Sequence, residues 1–216
     1  MARVAVFGGS FNPVHYGHLL LADEIVELVA VDRVLFVPAA QPPHKPAAHL
    51  APAADRFAMV GLAIAGHEHL AVSDVELRRA GPSYTVDTLE ELRRAGDELF
   101  LVVGSETFLD LLTWRDPARI ARLARLVIVP RAGSAFDTES AAAQKVLREI
   151  GITGGFVSAT GGTPPSHGVL VAHAASLPIS ASDLRRRVRE GRSLAYRLPL
   201  AVVDHIATRG LYREGA

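Results

Sequence analysis

His15 and His18 stand three residues apart, separated by Tyr16 and Gly17, shortly after the glycine pair Gly8 and Gly9. At that spacing both imidazoles lie on one side of the first turn of a helix that starts near His15. A helix start carries unpaired backbone N–H groups and a partial positive charge, which together attract phosphate. Two imidazoles there would add directed donors, and glycines at 8 and 9 let the backbone approach an anion closely. Gly17 leaves room on the helix surface for a flat group such as a base. A histidine pair taken alone more often caps a helix or faces solvent, but its place after a strand-end glycine pair favours phosphate.

Two further segments carry groups of the same kind. Pro38 to Lys45, "PAAQPPHK", sets His44 and Lys45 on a stiff proline loop, and Lys45 is one of only two lysines among 23 basic residues, although taken alone it reads as a solvated loop lysine. In "ISASDLRRRVR", residues 179–189, Ser180 and Ser182 fall at a helix start with Arg185 about one turn later, a second phosphate cradle of hydroxyls, amides and guanidinium. Arg186, Arg187 and Arg189 read as a solvated face. Other chemistries find no support. The glycine-rich stretch 151–168 lacks the Gly-Lys-Ser/Thr ending of a P-loop, and no Gly-x-Gly-x-x-Gly follows the first apolar run. His67 and His69 are too sparse for a metal set. Asp74, Glu76 and Asp87 form no catalytic pairing, and there is no Gly-x-Ser-x-Gly elbow.

These groups need a frame to hold them. "RVAVFGG", residues 3–9, is a β-branched and aromatic run stopped by glycines, which predicts a strand ending in a tight turn. Leu21, Ile25, Leu28 and Val29 then recur at helical spacing. Further strands are predicted at 33–40, 70–77, 98–104 and 125–131, with "VLVAH" (169–173) as the last. Helices are predicted around 56–64 and 85–96, and in two closing segments near 180–191 and 198–210. Such alternation implies a parallel sheet with right-handed crossovers and helices on both faces. The predicted fold is therefore α/β, a Rossmann-like doubly wound parallel sheet with a small helical C-terminal part. Ligands of such sheets sit at the carboxyl ends of the strands, where Gly8, Gly9 and Gly104 lie. The stretch 151–168 reads as a mobile surface loop.

Composition narrows the partners. The 216 residues suit one domain, 1–216, whose helical C-terminal portion begins near 178. Lys+Arg and Asp+Glu both count 23, so no global field draws the chain to nucleic acid or an anionic membrane. Cys is absent, which excludes a disulfide scaffold, a Cys-based zinc site and a thiolate nucleophile, and fits a cytoplasmic protein. No apolar run is long enough for a signal peptide or a membrane span.

"GGSFNPVHYGH", "PPHK", "SYTVDTL" (83–89), "GSETFLDLLTWRD" (104–116) and "ISASDLR" (179–185) occur here in that order, together with the tail "GRSLAYRLPLAVVDHIATRGLY". In this set the chain closely resembles bacterial nicotinate-nucleotide adenylyltransferases over nearly its whole length. The resemblance implies transfer of AMP from ATP to nicotinate mononucleotide, giving deamido-NAD and pyrophosphate in NAD biosynthesis. It implies that His15, His18 and Lys45 serve the reacting phosphates. ATP would be bound by Gly8, Gly9, Ser10, Phe11, Gly17, Gly104, Glu106, Ile179, Ser180, Ser182 and Arg185 as well as the two histidines, with Gly17 under the adenine. The mononucleotide would be held by Asn12, His44, Lys45, Tyr84, Thr85, Trp114 and Arg115, with Trp114 stacked on the pyridine and Thr85 receiving its carboxylate. Mg²⁺ is expected as cofactor, carried mainly by substrate phosphates, and no metal-ligand set is assigned to the protein.

Three departures stand out. Gly104-Ser105-Glu106 replaces the family's usual Gly-x-Asp, Asn12 stands where Asp is also common, and Ala181 takes a place often held by Ser. The sequence leaves self-association open. Two rivals are a sister transferase acting on pantetheine phosphate or using CTP, and a regulator that binds ATP without turnover. A tRNA-binding module is weaker, because no basic stripe interleaved with aromatics is present.

Overall fold

The computed structural model describes residues 2–43, 50–93, 97–130, 136–162 and 167–213. Seven parallel strands form one sheet: β1 (Arg3–Gly9), β2 (Arg33–Pro38), β3 (Leu70–Val72), β4 (Glu98–Gly104), β5 (Arg125–Val129), β6 (Phe156–Ser158) and β7 (Val169–Val171). Their order is β3-β2-β1-β4-β5-β7-β6. The chain builds outward from β1 through β2 to β3, then returns to lay β4 on the other side of β1. The strand order reverses between β1 and β4, and a doubly wound sheet opens a ligand crevice at the carboxyl ends of such a pair.

The helices are α1 (Tyr16–Val29), α2 (Ala53–Ala63), α3 (Thr85–Arg93), α4 (Ser105–Leu109), α5 (Pro117–Leu123), α6 (Ala141–Glu149), α7 (Ala181–Arg189) and α8 (Leu200–Thr208). Strand residues alternate between two cores. Ala5, Phe36, Phe100, Val102 and Val127 face Ile25, Met59, Leu184 and Val202, which belong to α1, α2, α7 and α8. Val4, Val6, Leu99, Leu101 and Leu126 face Leu89, Phe108, Ile120 and Val146, from α3, α4, α5 and α6. Because both faces are covered, the central strands are apolar at nearly every position.

Several predicted strands end a few residues early, at Pro38, Val129 and Val171, and two differences have a visible cause. The strand predicted at 70–77 ends at Val72 because Ser73 turns the chain: its hydroxyl accepts the Val75 N–H at 3.2 Å. The stretch predicted as a loop at 151–168 contains β6, paired in parallel with β7. This strand is seated by a close contact of two glycines, since a Cβ on Gly154 would lie 2.5 Å from the Gly168 nitrogen. The closing position predicted at Gly96 lies outside the described residues. No helix among them is long and apolar enough to cross a membrane.

Candidate active site

The crevice at the carboxyl ends of β1 and β4 is lined first by the loop that leaves β1. Gly8 is exposed, with open space where a side chain would stand, whereas Gly9 makes room for a ring: its Cβ would meet the Phe11 Cζ at 3.0 Å. Phe11 has φ 43°, a left-handed conformation that costs energy in a bulky residue and marks a restrained site. Its ring packs edge-on to Phe7 and His18, at centroid separations of 5.5 and 5.2 Å. A cis peptide joins Asn12 to Pro13. Asn12 is buried, its Oδ1 accepting the Ala51 N–H at 3.0 Å, so its side chain braces the wall of the crevice.

His15 is the N-cap of α1 in extended conformation, and its ring stacks on that of His18 at 3.7 Å. The His15 backbone N–H donates to His18 Nδ1 at 3.2 Å. With Nδ1 accepting, a neutral His18 carries its proton on Nε2. His15 is only 6% exposed, its Nδ1 has no partner among the described residues, and burial pushes its imidazole down to about 4. The two histidines therefore differ in kind. The amide supply at the helix start is also smaller than spacing implied, because Tyr16 N–H is taken by Arg197 O and His18 N–H by His15 O. The space beside Gly17, expected to lie under an adenine, abuts the His15 ring: a Cβ there would lie 3.1 Å from Cε1 and Nδ1.

The C-terminal motif comes to the same place. Leu177 O lies 3.6 Å from the position of a Gly17 Cβ, and Ile179 packs on the adjoining core. Ser180 caps α7 by accepting the Asp183 N–H, and its hydroxyl lies 3.2 Å from that of Ser182. Arg185 crosses to the first loop, where Nη1 donates to Asn12 O at 2.8 Å. On the other lip, Gly104 caps α4 and Ser105 is buried. Glu106 is exposed, with Oε2 turned back to 4.0 Å from where a Gly104 Cβ would stand.

A second wall is built by α3 and the segment before α5. Ser83 Oγ accepts the N–H groups of Ala40 and Gln41, which docks Tyr84 and Thr85 against the start of the proline loop. The Arg115 guanidinium lies 4.9 Å from the Tyr84 ring centroid and pairs with Asp87 at 3.4 Å. Trp114 follows a 3₁₀ turn and is half-buried against the second core. His44 and Lys45 lie outside the described residues. His67 and His69 are exposed, and no group of three or more potential metal-ligating side chains occurs among the described residues. A cavity of about 680 Å³ lies elsewhere, between Tyr16, Leu194, Tyr196 and Val203. Apart from Tyr16 at the start of α1, its lining shares no residue with the site described above.

Arg56 is the residue that spacing alone passes over. It is 1% exposed, and its guanidinium donates to Ala51 O at 2.9 Å, Ser10 O at 2.9 Å and Ala40 O at 3.2 Å. The signal was present in the helix pattern, which puts Arg56 in register with Met59 and Val60 on the buried face of α2.

A cytidylyltransferase-like family model matches residues 6–187. A relative from Thermomicrobium roseum, named "Probable nicotinate-nucleotide adenylyltransferase", is 41% identical over 99% of this chain and 92% of its own length. One of the same name from Thermus thermophilus is 42% identical over 98% of this chain and 100% of its own. Among solved structures, the Plasmodium falciparum nicotinic acid mononucleotide adenylyltransferase complexed with NaAD superposes with a TM-score of 0.73 at 17% identity, covering 98% of each chain.

Proposed function

Since the chain belongs to the nicotinate-nucleotide adenylyltransferase family, within the cytidylyltransferase-like group, we propose that it joins ATP to nicotinate mononucleotide in the crevice between β1 and β4. The products are deamido-NAD and pyrophosphate. A phosphate oxygen of the mononucleotide attacks the α-phosphorus of ATP in line, and the bond to the β-phosphate oxygen breaks. The acceptor is already anionic at neutral pH, so no general base or covalent intermediate is needed, and the protein's work is positioning and charge stabilisation.

The observation that carries this reading is the His15 N–H donated to His18 Nδ1, which fixes the ring at the start of α1 in the tautomer with its proton on Nε2. In the proposal His18 donates to the ATP phosphates, with Gly8, Gly9, Ser10 and Phe11 as backbone floor and Ser180, Ser182 and Arg185 on the far side. Glu106, on its longer arm, takes the ribose. Trp114 stacks on the pyridine, while Thr85 and neighbouring amides take its carboxylate. Lys45 and His44 are assigned to the reacting phosphates on the family pattern alone. The described residues offer no side-chain cluster that would hold a metal by itself, so Mg²⁺ fits as an ion arriving on ATP, bound by phosphate oxygens and water. Once bound it would offset charge on the leaving pyrophosphate. The reaction is proposed to run in the cytoplasm on small molecules.

The test is incubation with Mg-ATP and a panel of nicotinate mononucleotide, nicotinamide mononucleotide and pantetheine phosphate, with CTP replacing ATP in a parallel series, and pyrophosphate as the readout. Release is expected with ATP and nicotinate mononucleotide. Preference for pantetheine phosphate or CTP would point to a sister transferase. ATP binding without release on any acceptor would make the chain a nucleotide-binding regulator.

A further inference from the structure

We propose that Arg56 is a positioning residue of this reaction, a buried guanidinium that fixes the loop after β1 and both ends of the segment after β2 in one geometry and has the substrate phosphates as its counter-charge. The proposal rests on the phosphate assignment made above.

Three carbonyls converge on this side chain. Ser10 O belongs to the loop that leaves β1, Ala40 O to the start of the segment that leaves β2, and Ala51 O to the end of that segment just before α2. Arginine suits the task, because its planar fork can serve several acceptors at once and stays charged when buried. A peptide unit is planar, with its C=O and N–H pointing in opposite directions. The bond from Arg56 to Ser10 O therefore turns the Phe11 N–H away from the interior and towards the crevice, where it has no partner among the described residues. It also restrains Phe11 at φ 43°, and the Phe11 ring is the edge against which His18 packs. One side chain thus sets both a backbone donor and the seat of the imidazole donor.

The charge points the same way. Arg56 makes no ion pair among the described residues, although Asp55 is its neighbour in sequence, because Asp55 turns to His205 at 3.0 Å and Arg209 at 2.9 Å. Burial penalises the charged guanidinium; the field of the buried Glu76 carboxylate offsets part of that penalty without an ion pair, and the three carbonyl dipoles offset a further part. A polyanion on the crevice side of residues 10 and 11 completes the compensation, so binding of phosphates and seating of Arg56 favour one another.

The test compares the full-length protein with R56K and R56M by pyrophosphate release, by circular dichroism, and by thermal melting with and without inorganic tripolyphosphate. Both variants should fold and melt at a lower temperature. R56K should lose about 10²-fold in kcat, as for removal of one preorganised donor, and R56M more, when assayed well below their melting points. Tripolyphosphate should raise the melting point of the wild type more than that of R56K, and that of R56K more than that of R56M. Wild-type kcat in a folded R56K, or equal stabilisation of all three proteins by tripolyphosphate, would overturn the proposal and leave a purely structural arginine. If the wild type releases no pyrophosphate on any acceptor, the substrate assignment falls, and the tripolyphosphate series still decides the role of Arg56. If neither variant folds, ¹⁵N-arginine NMR of the wild type decides: the Arg56 Nε–H signal should shift and exchange more slowly with saturating tripolyphosphate, and an unmoved signal would refute the coupling.

Discussion

Acid should destabilise this protein in large part through one imidazole. His15 is 6% exposed, its Nδ1 lacks a partner among the described residues, and its ring is stacked at 3.7 Å on His18. Burial holds the imidazole at about 4 in the folded chain, against 6.5 for an unburied histidine. Between those values the unfolded chain binds a proton at His15 that the folded chain refuses, so stability rises with pH across that window. Nothing is lost above about 6.5, and the loss accumulates as pH falls towards 4. At about 1.4 kcal/mol per pH unit the full loss is about 3 kcal/mol, a sizeable share of a typical domain stability of about 5–15 kcal/mol. The perturbation is His15→Gln, which keeps a polar side chain and removes the titration. Urea unfolding of both proteins at several pH values between 4 and 7.5 gives a difference in which other carboxylates and histidines largely cancel. The wild type should fall relative to the variant with a slope approaching 1.4 kcal/mol per pH unit near pH 5, and the difference should flatten above pH 7. Parallel profiles across the range would refute the reasoning, because they would mean that His15 protonates as readily folded as unfolded.

Three other outcomes follow from named contacts. Gly17→Ala places a methyl 3.1 Å from the His15 ring, and a helix-propensity gain of up to about 1 kcal/mol opposes that strain; the melting point should change little while turnover falls about tenfold or more, and unchanged turnover would show that the ring's place is immaterial. At Asp55 burial alone would raise the carboxyl, but hydrogen bonds from Arg209 and His205 outweigh it and hold the group below its usual value. Asp55→Asn should therefore cost about 1–3 kcal/mol at pH 7, a gap that narrows as acid protonates the wild-type carboxylate, whereas a gap constant in urea unfolding from pH 7 to 3 would contradict the clamp. Trp114→Ala should weaken nicotinate and nicotinamide mononucleotides alike, leaving the preference for the acid, at least about tenfold in kcat/KM, roughly intact; collapse of that ratio would mean that the indole itself reads the carboxylate.

What could be read from the sequence was what repeats or punctuates. Glu98–Gly104 is legible as a strand because the sheet is covered on both sides, which makes all five central residues, Leu99 to Val103, apolar and buried. The end of β3 was read past, since Val75 and Leu77 continue the apolar alternation beyond Ser73-Asp74, where the Ser73 hydroxyl accepts the Val75 amide and turns the chain. β6 was hidden for another reason: its three residues sit in a glycine-rich context, and what fixes them is distant, the Gly154 contact with Gly168 and the edge packing of Phe156 on Phe108 and Phe136. At the site, spacing brought His15 and His18 to one helix turn but could not show that the His15 ring is buried and stacked on a His18 ring whose Nδ1 accepts the His15 amide. The convergence of the first loop, residues 83–85 and the α7 start is tertiary, and only motif order in the sequence hinted at it.

The division between the two histidines explains why a phosphate site would use an imidazole pair where a lysine would supply more charge. A lysine at either position would bring a flexible point charge on a long stem. Here His15 N–H bonds to His18 Nδ1, and the rings stack, so the orientation of His18 is set by backbone and by packing on Phe11 before any ligand arrives. The bond also selects the tautomer, which puts the His18 proton on Nε2 before any ligand arrives. Net positive charge is then left to guanidinium groups that are themselves tied to the same loop, Arg185 through Asn12 O and Arg56 through Ser10 O. In the proposed site direction would come from the imidazole and field from the arginines, and the left-handed turn at Phe11 is where the two would meet.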